Sequence, residues 1–397
     1  MRSTSSIALA LSAGLRLANA APCPGTSSTL YVASYPSGQL KGGLTTLRLS
    51  QGRLESVGEA SDDCGPYPSW LTQAGNSLYC LDEAWANITG TVHSFKIGAS
   101  SGISHLGSVE TKKGPVSSIV YGDNGHGLAV ADYDGQGLNT FNIADPAAIV
   151  PLDAPTFPPN SAPGTAQQTQ SRPHQAILDP TGSFLVVPDL GNDLVRVFSI
   201  DKKTLKITEQ ASLEFARTTG PRHAAFFKSG PKTFLYVACE IANLVQGFSV
   251  SYNNDRSLSF TRIYNSSTHG DSNPLPAGAT AAEIQVSPDS KFLTVSSRNE
   301  NSLKYTLADG TTVDSDPLIT FSINPESGAL THVQTAPAGG VNPRHFSFNK
   351  DGSRVASALQ ADGRVVVFER EVATGKIGKA VAEAKVAGSP NFVMFKE

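Results

Sequence analysis

Charge of one sign is what this chain most lacks: across 397 residues, 31 Lys and Arg stand against 34 Asp and Glu, a formal net charge of −3, and charged residues make up 16%. No basic stripe is offered to nucleic acid or to an anionic membrane, so neither is expected as a partner. Beyond the first twenty residues no apolar run reaches bilayer-spanning length. Nor does any long stretch carry the 3.6-residue periodicity of amphipathic helices. Cysteine is scarce. The four present (Cys23, Cys64, Cys80, Cys239) form no CxxC pair and no His/Cys cluster, so no structural metal site is expected. What is abundant is punctuation: 36 Gly and 25 Pro are spread between short runs rich in Val, Ile, Phe and Thr, the composition of an all-β chain.

Residues 1–20 read as a signal peptide, with a basic start at Arg2, an apolar stretch over residues 7–17 and an Ala18-Asn19-Ala20 ending that fits a small-x-small cleavage site. A secreted location, extracellular or in the cell wall, follows as the expectation. The sequons at Asn87 and Asn265 then become glycosylation sites. In an oxidising compartment four cysteines permit up to two disulfides in any of three pairings; Cys64 with Cys80 is the first choice, and Cys239 reads as a buried free thiol at a strand end.

The organising feature is a repeat. Arg172-Pro173-His174-Gln175 opens a strand, a tight turn follows at Asp179-Pro180-Thr181-Gly182, and two further strands follow in turn. The pattern recurs from Pro221 and Pro343, more loosely from Pro68, Pro115 and Ala281, and incompletely from Pro390. These seven copies are spaced by about 47 to 62 residues, in the range of four-stranded propeller blades. The last copy lacks a second strand, which the start of the mature chain supplies. Residues 21–397 are therefore expected to form one seven-bladed β-propeller, closed by pairing of N- and C-terminal strands, which removes the exposed edges of an open array. Residues 151–171, with Pro155, Pro158, Pro159 and Pro163, read as an irregular insertion loop and a candidate lid. A closed ring points to a monomer.

In each blade the start of the innermost strand and the end of its antiparallel successor lie at the same mouth of the channel. The residues after the anchoring positions are Ser69, Val116, His174, Arg222, Ala282, Arg344 and Asn391, followed by Trp70, Ser117, Gln175, His223, Glu283, His345 and Phe392. The second strands end at Tyr35, Glu83, Tyr133, Leu190, Glu240, Arg298 and Gln360. One mouth is thus unusually polar. His174, Arg222, Glu240 and Arg298 come from consecutive blades and form the candidate catalytic set: arginine forks hold carboxylates, and a histidine beside a glutamate handles protons. His223, Arg344, His345 and Glu83 are candidate substrate-binding residues. Asp82, Asp132 and Asp189 recur at comparable strand ends and read as structural hydrogen-bond acceptors.

The signatures Arg172-Pro173-His174-Gln175, Gly220-Pro221-Arg222-His223 and Asn342-Pro343-Arg344-His345 resemble those of the seven-bladed lactonase propellers over nearly the whole mature chain. That family includes bacterial 6-phosphogluconolactonase and the fungal carboxymuconate cyclases, and the chain looks more similar to the cyclases. The resemblance implies His174, Arg222, Glu240 and Arg298 as the acting residues, a small-molecule polycarboxylate or lactone as partner, no cofactor, and either closure of a muconate-type polycarboxylate to its lactone or lactone hydrolysis. The chain departs from the cyclases in its leader and sequons and in a longer turn over residues 228–233. Those departures raise a non-enzymatic alternative, a surface glycoprotein of adhesin or antigen type on a propeller scaffold.

Overall fold

Seven blades of β-sheet stand around one axis in the computed structural model, which describes residues 27–159, 163–271 and 275–396. The leader and Cys23 lie outside the described residues. The innermost strands are Pro68–Ala74, Pro115–Tyr121, Ile177–Leu178, Pro221–Ser229, Thr280–Val286, Pro343–Phe348 and Ser389–Phe395, and they define blades 1 to 7. Each is followed outward by antiparallel neighbours. Helix is confined, among the described residues, to one 3-10 turn at Ala166–Gln168, and no helix is long and apolar enough to cross a membrane.

The strands are apolar on both sides because each blade is covered by two neighbours. In blade 3, Leu185 and Val187 pack with Ala129 and Ala131 of blade 2, while Phe184 and Val186 pack with Leu235 and Val237 of blade 4. Period-two alternation therefore divides one strand between two hydrophobic layers. The hairpin turn of this blade is set by Asp179, whose Oδ1 accepts the N–H of Ser183 at 2.8 Å and of Phe184 at 2.7 Å, with Gly182 at φ +65°, a conformation glycine adopts without a Cβ penalty.

Blade 7 joins the two ends of the chain. Ser389–Phe395 pairs antiparallel with Ser28–Tyr35, matching Val393 to Val32 and Phe395 to Leu30. Cys64 and Cys80 are joined as a disulfide with Cα atoms 6.0 Å apart, tying the segment before blade 1 to that blade's second strand. Cys239 is a buried free thiol.

Three details correct the sequence reading. The segment over 151–171 is not without strand: Val150–Pro151 is the fourth strand of blade 2, pairing Pro151 with Phe141, and Phe157 is buried beside Phe198. Gln168 and Asn192 bond across to Leu190 and Pro158, so the described parts of this arm on either side of residues 160–162 are fastened to blade 3. The turn over residues 228–233 is not long; Ser229 pairs with Lys232, leaving a two-residue turn on a longer hairpin. Blade 5 carries an extra hairpin, Leu303–Thr306 with Thr312–Ser315, between its second and third strands.

Candidate active site

An irregularity shared by all seven blades shapes the channel. Pairing register shifts just after the anchoring residue in blades 1, 2, 4, 6 and 7, and across Ala282 and Glu283 after the anchoring Ala281 in blade 5; in blade 3, Pro173 makes an isolated bridge to Asp189 before regular pairing resumes at Ile177. A bulge of this kind re-aims side chains. Two consecutive residues of a blade then reach the channel where strict alternation would send one away. Thus Trp70, His174, Arg222, His223, Arg344 and His345 line one small cavity of about 10 Å³, room for about one water.

The residues form two layers. Nearer the mouth, the Glu240 carboxylate bridges two guanidinium groups, with Oε2 2.7 Å from Arg222 Nε and 3.1 Å from Arg298 Nη2. Its side chain is 22% exposed while that of Arg222 is 1% exposed, so solvent reaches the carboxylate and the arginine lies beneath it. Arg298 also donates to the Ala281 carbonyl at 3.2 Å. Arg222 Nη1 and Arg298 Nε are buried donors with no hydrogen-bond partner among the described residues. Arg298 and Arg222 hold the Glu240 carboxyl below its ordinary range despite its burial, so it is ionised at neutral pH. Burial and the neighbouring Arg298 press the Arg222 pKa downward, yet a guanidinium keeps its proton at neutral pH.

Deeper in the channel lies a chain of imidazoles and a carboxyl. His174 Nδ1 is 3.2 Å from His223 Nε2, His223 Nδ1 is 2.9 Å from Glu283 Oε2, and His345 Nε2 is 3.4 Å from the same oxygen. Burial and then Arg222 push His174 and His223 well below the usual histidine pKa; burial takes His345 to about 3. All three are neutral at pH 7. Burial raises Glu283 to about 8, with Arg222 opposing. Trp70 closes this layer edge-on to His223 and His345, with ring centroids at 5.7 and 5.2 Å.

Glu83 stands on the other wall, as its register implies. It accepts hydrogen bonds from Tyr35 and Trp85, and Trp85 stacks on Tyr67 at 4.5 Å; its oxygens are committed to the wall, which leaves little for a ligand. Arg344 faces Glu83 and Glu240 electrostatically and lies 5.8 Å from the Tyr35 ring centre. The structure thus brings together His174, Arg222, Glu240 and Arg298, sets His223, Arg344 and His345 against them, and places Glu83 across the mouth. Glu283 was not singled out, although it occupies the same strand position as His223 and His345; that register was the signal. Asp82 and Asp189 accept the backbone N–H of Tyr67 and Arg172, the residues before the anchoring prolines, at 2.9 and 2.7 Å. Asp132 accepts from Thr111. All three therefore have structural partners.

A closed seven-bladed propeller with an arginine–carboxylate cluster over a histidine-lined channel defines the class. Residues 29–395 match the family described as Lactonase, 7-bladed beta-propeller, and the chain belongs to that family. It is 27% identical to the 6-phosphogluconolactonase of Formosa agariphila over 82% of this chain and 87% of that one. It is also 27% identical to the probable 6-phosphogluconolactonase of Arthroderma benhamiae, over 82% and 79%. The periplasmic gluconolactonase of Pseudomonas aeruginosa superposes with a TM-score of 0.77 at 23% identity, covering 93% of this chain and 99% of that one, a likeness of fold.

Proposed function

We propose that this protein hydrolyses the ring ester of a small anionic lactone of the sugar-acid class. The observation that carries this reading is the pair of buried, unpartnered donors Arg222 Nη1 and Arg298 Nε beside the Glu240 carboxylate. Such donors are costly to leave unmade and are oriented before any ligand arrives. Water adds to the lactone carbonyl, and the two arginines hold the oxyanion that forms, where they act more strongly than in the neutral ground state. Glu240 fixes both guanidinium groups in place. His174, neutral at rest, accepts the proton of the attacking water, and a proton is returned through it to the ring oxygen as the C–O bond breaks. The product is the open hydroxy acid, formed without redox chemistry. The names of the curated relatives support the substrate class.

A second reading is lactone formation from a muconate-type polycarboxylate. It is favoured by the arginine surplus at the mouth, where Arg222, Arg298 and Arg344 face Glu240, while Glu83 is bound by Tyr35 and Trp85. A secreted, glycosylated protein is a further part of the proposal, supported by the leader pattern, the Cys64–Cys80 disulfide and the exposure of Asn87 and Asn265. The test is a substrate panel on purified protein: 6-phosphoglucono- and glucono-lactones followed by acid release, and carboxymuconates followed by loss of diene absorbance. Release above the spontaneous rate only for lactones supports hydrolysis. Diene loss alone supports cyclisation, and no turnover of any member supports a binding role.

A further inference from the structure

We propose that His174, His223 and Glu283 form a proton relay in which the buried Glu283 carboxyl sets whether His174 presents an N–H or a lone pair to the reaction site. The proposal rests on the hydrolase reading for its catalytic meaning, but its physical content is a property of the channel alone.

The chain is continuous: Glu283 Oε2 to His223 Nδ1 is 2.9 Å, and His223 Nε2 to His174 Nδ1 is 3.2 Å. Each contact joins two groups of which one must donate, so protonation at one end dictates the pattern at the other. With Glu283 protonated, its O–H donates to His223 Nδ1, His223 Nε2–H donates to His174 Nδ1, and His174 carries its proton on Nε2. With Glu283 ionised, every bond reverses: His223 donates from Nδ1, His174 donates from Nδ1, and His174 Nε2 is a bare acceptor. Passing between the two moves one proton along each link and releases one at His174 Nε2, so neither imidazole need become charged. That matters because the surroundings resist an imidazolium: burial first, then Arg222 and Arg344, disfavours charge on both histidines.

The groups facing Glu283 permit both states. Blade 4 contributes Arg222 and His223, blade 6 contributes His345, and the Ile284 N–H and the Gln285 side chain of its own strand favour the ionised form against burial. The Val393 N–H points at His345 Nδ1 from 3.5 Å, which leaves the proton of His345 on Nε2, where it serves the Glu283 oxygen in either state. Burial places the Glu283 transition at about 8, so the base form of His174 is gained across the neutral-to-alkaline range. Glu283 is therefore a positioning residue that acts through two histidines, and it gives one imidazole both the acceptor and the donor role that ester hydrolysis needs.

Two measurements on the full-length protein test this. Nitrogen-15 spectra of the imidazoles in wild type from pH 6 to 9.5 are expected to show His174 and His223 exchanging Nε2–H for Nδ1–H with a shared midpoint and without passing through imidazolium. A single unchanging tautomer for His174 across that range overturns the relay, whether or not a lactone is hydrolysed. In the activity arm, kcat corrected for spontaneous hydrolysis is expected to rise about tenfold between pH 7 and 9, as for one base ionising near 8. Glu283→Gln and His223→Gln, which cannot pass a proton, are expected to lose that rise, and Glu283→Gln does so with KM held within about twofold. An unaltered profile in folded Glu283→Gln also overturns the proposal. If either variant fails to fold, the wild-type spectra decide alone. If the tautomers exchange but no lactone is turned over, the relay stands and the hydrolase reading falls.

Discussion

Glu240 Oε2 lies 2.7 Å from Arg222 Nε, a contact between the end of one strand and the start of the strand paired with it. The same oxygen serves Arg298 of the next blade. One carboxylate therefore offsets two buried cations, and the three residues respond unequally to mutation. Glu240→Gln leaves both guanidinium groups uncompensated and is expected to cost about 3 kcal/mol. Arg298→Ala removes a like-charge neighbour of Arg222 along with its own contacts and is expected to cost about 1 kcal/mol. Chemical denaturation of the two variants side by side measures the difference; equal losses would show that the bridge is not shared.

Among the described residues Arg344 has no hydrogen-bonded carboxylate partner, and it looks across the mouth at Glu83 and Glu240. Its replacement by alanine is expected to raise KM about tenfold for a phosphorylated or carboxylated lactone, about 1.4 kcal/mol of binding, with kcat and melting temperature little altered. A neutral lactone should show no such change. Initial-rate kinetics on the matched pair of substrates reads this directly.

Stability should pass through a maximum with pH, because the buried groups of the channel pull in opposite directions. His174, His223 and His345 have folded pKa values below the ordinary 6.5; their contribution is complete above 6.5 and is lost as pH falls and the imidazoles charge. Glu283 is raised from 4.5 to about 8; its contribution is complete below 4.5 and is lost as pH rises through 8. Three histidines outweigh the two raised carboxyls, Glu283 and Glu83, on the acid side, so thermal melts should peak near pH 6.5. Glu283→Gln should flatten the alkaline descent and leave the acid limb intact.

Ring closure depends on the last strand. Deleting residues 389–397 removes the innermost strand of blade 7 and exposes both the Ser28–Tyr35 edge and the buried Val393 and Phe395 contacts. The truncated chain is expected to lose its cooperative melt and to aggregate through the open edge, which light scattering detects. A soluble, cooperatively melting truncation would mean that closure is dispensable.

Much of this was legible in the chain because the repeat fixes register. Once Pro173, Pro221 and Pro343 are aligned, His174, Arg222 and Arg344 fall at one level, and counting along the paired strand puts Glu240 and Arg298 beside them. Glu283 stands in the same register as His223 and His345, but its blade opens on Ala281 and Ala282 in place of the proline–arginine or proline–histidine signature that drew attention to the others. The blade 5 hairpin was equally silent: Leu303–Thr306 and Thr312–Ser315 are short, polar and largely uncovered, so they lack the apolar alternation that marks the blade strands. The fastening of the arm over 151–171 rests on backbone carbonyls such as those of Leu190 and Pro158, which every residue possesses.

The most direct test of the central claim is the rate of ring opening of 6-phosphogluconolactone by wild type and by Arg298→Ala, each shown by its melt to be folded in the assay buffer. The account predicts acceleration over the spontaneous reaction by wild type and a loss of at least a hundredfold in the variant, the usual weight of one oxyanion donor. Equal rates from two folded proteins, or a wild type no faster than buffer on any sugar-acid lactone, would contradict it.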